Sequence, residues 1–415
     1  MLLALAVQYK MHLHQMDVVS AYLNSDLNDE IYMRQPQCFI EEESEEKVLR
    51  LNKAIYGLKQ SGREWNATLD GVLKSIDFKA LESEPCLYKA RRNSVLVIVA
   101  VYVDDIIVGC EDETILVRVK EEIAGKFEVT DKGQLRHFIG MEIERDGKTG
   151  EIMLGQKQYI LNMLKTYGME DCKPTNVPLD AGHQVACLSN CKRADCKAYQ
   201  SIIGALMYLS LVARPDITHS VVKLAQMNKD PHVEHMTAAK NILRYLKFSI
   251  NLKLLFRASG TSLEAYADAD WGGNKVDRKS FSGFVFYLGG CTIAWQSKKQ
   301  TIVALSSTEA EYVSISNAAR EAVYLNRILR ELEFDRAVSV KLNVDNQGAM
   351  KLASNAVVNG RSKHIDIKYH HIRDLVQKGE VLLEYCPTND MLADVLTKNL
   401  SRTKFENFVK RLNLM

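Results

Sequence analysis

The chain has 415 residues, enough for two or three domains that each bury a core. Apolar residues make up 47% of it and charged residues 26%, as in soluble globular proteins, and the net charge of +2 does not by itself indicate a nucleic-acid partner. No apolar run reaches transmembrane length and the start lacks a secretion signal, so we expect an intracellular, cytoplasmic or nuclear protein, not secreted and with no membrane partner.

The nine cysteines lie without paired spacing, which favours free thiols in a reducing compartment over a disulfide framework. The tightest group comprises Cys187, Cys191 and Cys196, with Cys172 and His183 nearby. Either a zinc site or a cysteine-rich polar loop would account for them. The loop is favoured, because neither C-x2-C spacing nor a second ligand pair is present.

The first predicted elements are a helix, LLALAVQYK, and a strand in HLHQMDVVSAYL that carries Asp17 among apolar neighbours. IYMRQP predicts a short strand that ends at Pro36, and the acidic run from Glu41 to Glu46 predicts an exposed loop. AIYGLKQSGREWN then leads into an amphipathic helix, roughly from Ser61 to Ile76.

Two apolar, β-branched runs meet at Asp104 and Asp105 in VLVIVAVYVDDIIVG, which predicts a buried hairpin with an acidic tip. Adjacent buried anions repel each other and lose hydration, so they need shifted pKa values, exposure at the turn or a bound cation. The tip is therefore either an ordinary Asp-Asp turn or part of a metal site. Asp17 favours the second interpretation, because a two-metal phosphoryl-transfer site needs a carboxylate from a separate strand.

QMDVVSAYLNSDLNDEIYMRQP, AIYGLKQSGREWN and YVDDIIVG resemble, in order and spacing, successive motifs of the reverse transcriptase of copia-type LTR retrotransposons. The resemblance continues through FIGMEI and SIIGALMYLSLVARPDI into a ribonuclease H region, so it covers nearly the whole chain. It implies an α/β (α+β) fold class: a reverse-transcriptase palm with thumb- or connection-like helices, followed by a ribonuclease H-like domain with a mixed sheet.

The resemblance also implies roles for individual residues. Asp17, Asp104 and Asp105 would hold two Mg²⁺ or Mn²⁺ ions in the polymerase site. Tyr22 occupies the position of a steric gate against a 2′-hydroxyl, although a core tyrosine is the alternative. Lys59, Gln60 and Arg63 would position the template. The family's basic fingers region precedes the point where this sequence starts, so we expect the nucleotide site to lack one wall.

The middle of the chain is predicted to contain several helices, a hairpin and a polar linker. ETILVRVKEEIAGKFEV is typical of a helix over the sheet, and FIGMEIERDGKTGEIML of a hairpin around Asp146-Gly147. QKQYILNMLKTYGM begins a thumb-like helical segment, and residues 172–198 predict a polar linker. YQSIIGALMYLSLVARPDITHSVVKLAQ and VEHMTAAKNILRYLKFS predict two strongly helical stretches.

From about Leu254 the sequence again predicts strands. Further carboxylates follow on a strand, on a long helix, on a second strand and on a late helix that begins in LADVLTK. Their order resembles ribonuclease H, which implies that four of these acids hold two metal ions: Asp268, Glu311, Asp345 and Asp394. Alone, each is more often a cap or a surface acid. The neighbouring Glu309 and Asp270 are expected to point elsewhere.

The resemblance implies a domain division at residues 1–170 (palm), 171–253 (helical region), 254–400 (ribonuclease H-like) and 401–415 (basic tail). The expected partners are an RNA template, a DNA primer, the RNA–DNA hybrid and dNTPs. The resemblance thus implies a chain with both RNA-directed DNA polymerase and ribonuclease H activity. The alternatives are a chain with ribonuclease H activity alone and a non-catalytic remnant that binds nucleic acid. His364, His370 and His371 could form a metal cluster, but the polar face of a helix explains them more simply.

Overall fold

The structure, a computed structural model, describes residues 1–40, 46–183, 192–260, 262–334, 339–354 and 366–415, with the backbone alone at 366–370. The chain divides into two compact units. One comprises residues 9–135, and the other combines residues 1–8 with residues 136–415. The divisions predicted near residues 170, 253 and 400 stay predictions.

An antiparallel sheet of six strands forms the centre of the unit of residues 9–135. The described elements of this unit are β1 (His12–Val18), β2 (Tyr32–Arg34), β3 (Val48–Arg50), α2 (Ser61–Ser75), β4 (Lys79–Ala80), β5 (Leu87–Arg92), β6 (Val95–Tyr102), β7 (Asp105–Cys110), α3 (Glu113–Ala124) and β8 (Val129–Gln134). The strand order of the sheet is β4-β5-β6-β7-β1-β8. The short strands β2 and β3 pair separately. Helix α1 (Leu2–Gln8) precedes β1 in the chain and belongs to the other unit.

Helical periodicity explains why α2 and α3 cover this sheet. Trp65, Leu69 and Leu73 recur every four residues and are buried along one face of α2. Helix α3 buries a similar stripe, and Asp112 caps its start by accepting hydrogen bonds from two backbone amides. The core between helices and sheet fixes the position of the β6–β7 hairpin.

A mixed sheet of five strands is the largest described sheet of the other unit, which also has a second sheet of four strands. The described elements are α1 (Leu2–Gln8), β9 (His137–Phe138), β10 (Met141–Arg145), β11 (Ile152–Gly155), α4 (Lys157–Thr166), α5 (Cys196–Val212), α6 (Thr218–Ala225), α7 (Val233–Phe248), β12 (Leu254–Phe256), β13 (Leu263–Asp270), β14 (Phe281–Leu288), β15 (Cys291–Lys299), α8 (Ser307–Glu331), β16 (Val340–Val344), α9 (Gln347–Ser354), α10 (Asp366–Gln377), β17 (Val381–Tyr385) and α11 (Arg402–Arg411). The mixed sheet has the order β15-β14-β13-β16-β17. Strands β13 to β15 are antiparallel, whereas β16 and β17 run parallel to β13. The second sheet has the order β12-β11-β10-β9.

This architecture confirms the predicted α/β (α+β) fold class with a mixed second sheet. Asp394 lies in the first turn of a late helix, as predicted, and this helix is a short 3₁₀ helix, Leu392–Leu396. Within residues 401–415, α11 buries Phe405 and Phe408 in the core. In the described part of the chain, no helix combines the length and apolar character needed to cross a bilayer.

The first long helical stretch of the middle region is broken by the turn between α5 and α6, where proline cannot continue a helix. Here the buried guanidinium of Arg214 donates two hydrogen bonds to Asp216, of 2.7 and 3.0 Å. Arg214 also donates to the hydroxyl and carbonyl of Ser249, and Tyr245 donates to Asp216 at 2.6 Å. A fully bonded ion pair thus ties this turn to α7.

We expect Arg214→Met to lower the free energy of unfolding by about 3–5 kcal/mol, because it leaves Asp216 buried without its counter-charge. The urea midpoint measures this loss. Lys378→Met is the control, since it removes an exposed ion pair with Asp374 that contributes little. Equal midpoints for both variants would contradict the role assigned to the buried pair.

Candidate active sites

The predicted polymerase carboxylates lie at one end of the antiparallel sheet of residues 9–135. Asp17 on β1 is the direct cross-strand partner of Asp105 on β7. Asp104 precedes β7 in the tight turn of the β6–β7 hairpin. The predicted hairpin with its acidic tip is therefore present, and the cross-strand register brings Asp17 beside it.

The turn is held in an uncommon conformation. Val103 has a φ of 55°, which a β-branched residue rarely adopts, so neighbouring contacts must hold the turn. The indole of Trp65 donates a 2.7 Å hydrogen bond to the carbonyl of Val103, and the amide of Val18 donates one of 2.8 Å to that of Asp104. Helix α2 and strand β1 thereby fix the acidic tip.

Lys132 on β8 is a residue of this site that the sequence analysis missed. Its ammonium group lies 2.5 Å from Asp17 and 3.5 Å from Asp105, and it therefore bridges the two carboxylates. The hydrogen bond to Asp17 is the main cause that raises the pKa of Lys132. Gln15 donates a further 2.7 Å hydrogen bond to Asp105. The ammonium group of Lys132 thus neutralises part of the negative charge of Asp17 and Asp105.

Asp104 faces a different set of partners. The hydroxyl of Tyr56 lies 3.4 Å from a carboxylate oxygen of Asp104, and burial together with Asp104 raises the pKa of Tyr56. The rings of Tyr56 and Tyr22 have centroids 4.3 Å apart, and Tyr22 packs partly buried against the core of this unit. The steric-gate role of Tyr22 stays a prediction.

The predicted template residues lie at the start of α2. Lys59 is exposed, and Gln60 donates a 3.0 Å hydrogen bond to Asp29. Arg63 is also exposed and pairs with Glu64 at 2.7 Å. Arg63 also lies 3.8 Å from Asp29, so Gln60 and Arg63 share this acidic partner. The template-positioning role of the three residues stays a prediction.

Three of the four predicted ribonuclease H carboxylates converge. Asp268 comes from β13, Glu311 from α8 and Asp345 from the residue after β16. One ligand oxygen of each lies within 4.8 Å of the other two. In the described part of the chain, no other group of three His, Cys, Asp or Glu residues meets this geometry. Three hard oxygen donors are the ligands that Mg²⁺ and Mn²⁺ prefer.

The electrostatics of this cluster fit a bound cation. Burial raises the pKa of Asp268 to about 6, and the charges of Asp394 and Asp345 add to this shift. Burial, together with the charges of Asp268 and Asp345, raises the pKa of Glu311 well above its usual value. One oxygen of Glu311 accepts from the amide of Ala269, whereas the other is buried without a hydrogen-bond partner among the described residues. A divalent ion would stabilise a buried carboxylate that has an unpartnered oxygen and belongs to a cluster of three acids.

Asp394, the fourth predicted ligand, is buried but is held by two lysines. Lys398 lies 2.8 Å from one of its oxygens and Lys404 lies 2.6 Å from the other. Lys398 also lies 3.5 Å from Asp268, to which Thr397 donates a hydrogen bond. Burial opposes the charge of Lys398, yet Asp268 and Asp394 raise its pKa above the usual value.

Neither lysine is among the site residues predicted from the sequence. Lys398 follows Asp394 by four residues, a spacing at which opposite charges often pair, so that contact had a local signal. Lys404 comes from α11, and no local pattern in the sequence indicates its contact with Asp394.

The two neighbouring acids do not join the carboxylate cluster. Glu309 completes a helix cap at the start of α8, where its carboxylate accepts a 2.8 Å hydrogen bond from the amide of Leu305. Asp270 lies beyond Asp268 on β13, and burial raises its pKa. Thr388 donates a 2.9 Å hydrogen bond to Asp345 and so orients the most accessible of the three ligands.

Several predicted metal-binding candidates lie outside the described residues: Cys187, Cys191 and His364, together with the side chain of His370. Cys172 and Cys196 are free thiols of intermediate burial. The zinc and histidine-cluster hypotheses therefore stay untested.

Comparison with known proteins gives the context of both sites. A family described as "Reverse transcriptase (RNA-dependent DNA polymerase)" matches residues 1–181. The chain is 39% identical over 413 residues to the retrovirus-related Pol polyprotein from transposon RE1 of Arabidopsis thaliana, a match that covers 99% of the chain and 28% of that protein. The chain thus spans less than a third of that relative.

Two further comparisons cover most of the known protein. The putative transposon Ty5-1 protein of Saccharomyces cerevisiae is 33% identical over 301 residues, 72% of this chain and 97% of that protein. The foamy viral protease-reverse transcriptase in complex with double-stranded DNA aligns with a TM-score of 0.52 and 14% identity, over 91% of this chain and 68% of that one. At this identity the structural match supports a common fold.

We expect the affinity of the Asp268–Glu311–Asp345 cluster for Mn²⁺ to fall as the pH is lowered from 7 through 6. Asp268 has a pKa of about 6, and a protonated carboxyl is a poor metal ligand. Calorimetric titrations in two buffers of different ionisation enthalpy should therefore show proton release on binding near pH 6. Affinity and proton release that are both independent of pH would contradict this reading, and Asp390→Asn, an exposed acid, is the control.

Proposed function

We propose that this chain, which belongs to the copia-type Pol family of LTR retrotransposons, combines an RNA-directed DNA polymerase site with a ribonuclease H site. The observation that carries the proposal is the convergence of Asp268, Glu311 and Asp345 from three separate elements. Family membership supports the polymerase assignment of Asp17, Asp104 and Asp105. Each site would use two Mg²⁺ or Mn²⁺ ions.

In the ribonuclease H site, the reaction is hydrolysis of the RNA strand of an RNA–DNA hybrid. Bound divalent metal would supply a Lewis acid for the phosphate and lower the pKa of the attacking water. Asp268, Glu311 and Asp345 would hold it, and Thr388 would keep Asp345 oriented. Lys398 and Lys404 together carry more positive charge than Asp394 neutralises. The remaining positive charge would attract the phosphate of the substrate.

In the polymerase site, the same metal chemistry would serve nucleotide addition to a DNA primer on an RNA template, with dNTPs as substrates. Asp17 and Asp105 already lie side by side across the sheet, and Lys132 holds them. Asp104 sits at the tip of the rigid turn. Ligation by Asp17 and Asp105 requires their bonds to Lys132 to loosen, which would leave its ammonium beside the substrate phosphates.

Recognition of the hybrid by the ribonuclease H site should depend on 2′-hydroxyl groups and helix shape, because base sequence is not accessible to side chains in such a duplex. The same preparation should therefore cleave hybrids of unrelated sequence at similar rates.

Two matched variants test the proposal on one labelled RNA–DNA duplex with a recessed primer. We expect Asp345→Asn to reduce hybrid cleavage by about a hundredfold or more and to leave primer extension intact, since losing a metal ligand removes several kcal/mol of transition-state stabilisation. We expect Asp104→Asn to reduce primer extension in the same way and to leave hybrid cleavage intact. Gel analysis of both products in Mg²⁺ measures the two activities together.

Each variant controls for the folding of the other. Cleavage without extension in the parent protein would support ribonuclease H activity alone. Neither activity in a folded parent protein would support a non-catalytic nucleic-acid-binding remnant, and cleavage by Asp345→Asn at the parent rate would contradict the assigned site.

A further inference from the structure

Asp394 differs from the other three predicted ribonuclease H ligands in its surroundings. The ligand oxygens of Asp268, Glu311 and Asp345 lie within 4.8 Å of one another, and Asp394 is not a member of this cluster. Asp394 is nevertheless as deeply buried as Asp268, with 1% of each residue exposed. A buried carboxylate outside the cluster needs its own source of positive charge.

Two lysines supply that charge, one to each oxygen of Asp394. The ammonium group of Lys398 lies 2.8 Å from Oδ1, and that of Lys404 lies 2.6 Å from Oδ2. Both lysines are only partly exposed, whereas the carboxylate is buried. Asp394 would have to give up at least one of these ion pairs before either of its oxygens could bind a metal ion.

Lys398 also contacts a member of the cluster. Its ammonium group lies 3.5 Å from Oδ2 of Asp268, the same oxygen that accepts a hydrogen bond from Thr397. A single cationic group thus contacts two buried carboxylates, Asp268 and Asp394. A divalent ion bridging these two carboxylates would need the same oxygens and the same space, because hard cations also bind carboxylate oxygens directly.

Lys404 is held in place by the packing of α11. Phe405 and Phe408 of this helix are buried, and the ammonium group of Lys404 lies 5.3 Å from the centroid of the Phe408 ring. The ring of Phe405 packs against that of Tyr245 on α7, with centroids 5.5 Å apart. The restraint on Asp394 is therefore part of the core packing and differs from an exposed ion pair, which would contribute little.

We propose that Lys398 and Lys404 keep Asp394 out of the metal site, so that a second divalent ion binds at Asp268 and Asp394 only by displacing Lys398. The proposal rests on the proposed ribonuclease H function and adds an order of binding to it. The first ion would bind to the three clustered carboxylates, where Lys398 contacts only Asp268. The second ion would compete with a lysine of the chain itself and would bind more weakly.

Equilibrium dialysis of Mn²⁺ at neutral pH, without nucleic acid, tests the proposal independently of catalysis. We expect Lys398→Gln to tighten binding of the second ion by about tenfold or more, because that ion no longer has to break hydrogen bonds between charged groups. Adding Asp394→Asn to this variant should abolish the gain. Ions bound at the polymerase carboxylates do not confuse the comparison, since these variants leave those residues unchanged.

The matched control is Arg402→Gln, which removes a cation from the same helix as Lys404. Arg402 is exposed and pairs with Glu406 at 2.8 Å, away from Asp394. Lys404→Gln keeps the pair between Lys398 and Asp394, so it remains informative if Lys398→Gln fails to fold, and we expect a smaller gain in the same direction. An equal gain in Arg402→Gln would show a general effect of charge and would overturn the proposal.

The same titrations separate this proposal from the proposed function. A parent protein that binds Mn²⁺ in a class lost in Glu311→Gln, with no gain in either lysine variant, would overturn the proposal and leave the ribonuclease H assignment in place. Absence of that class from the parent and from both lysine variants would overturn both. Two ions of equal affinity at this site in the parent would also overturn the proposal, because the lysines would then exclude nothing.

Discussion

The mutual repulsion of Asp268, Glu311 and Asp345 is the constraint on which the organisation of the C-terminal site depends. Bringing three carboxylates within 4.8 Å of one another, two of them buried, costs hydration and Coulomb energy. The raised pKa values of Asp268 and Glu311 express this cost. The fold tolerates it because the mixed sheet and α8 hold the backbone rigidly, and a divalent ion would remove it.

The two sites balance their acids in different ways. At the C-terminal site Lys398 and Lys404 hold Asp394, and of the three clustered carboxylates Lys398 forms an ion pair with Asp268 alone, at 3.5 Å. In the unit of residues 9–135, Lys132 contacts both Asp17 and Asp105. Metal binding at the first site would require deprotonation of the buried acids, whereas metal binding at the second would require displacement of Lys132 from both of its partners. Their metal affinities should therefore depend differently on pH.

The sequence predicts the elements well where the pattern is local. Two apolar, β-branched runs predicted the β6–β7 hairpin, and apolar residues at helical spacing predicted α2. The resemblance to a known family supplied the carboxylate sets. Three of the four C-terminal acids meet, because the backbone directions of β13, β16 and α8 fix where their side chains point once the sheet order is known.

Contacts between distant segments could not be predicted in this way. Lys132 reaches Asp17 only because β8 pairs with β1, and Lys404 reaches Asp394 only because α11 packs in the core. The break between α5 and α6 had a local signal in Pro215, but the buried partners of Arg214 come from α7 and the residue that follows it. Long-range packing decides which charges are neutralised, and no local pattern records it.

Electron paramagnetic resonance of bound Mn²⁺ can show whether Asp268, Glu311 and Asp345 form a metal site. Titration of the parent protein is compared with Glu311→Gln and with Glu321→Gln, a control on the same helix. We expect Glu311→Gln to lose one class of bound Mn²⁺ that the parent and Glu321→Gln both keep. Identical Mn²⁺ binding by all three proteins would contradict a metal site at these three residues.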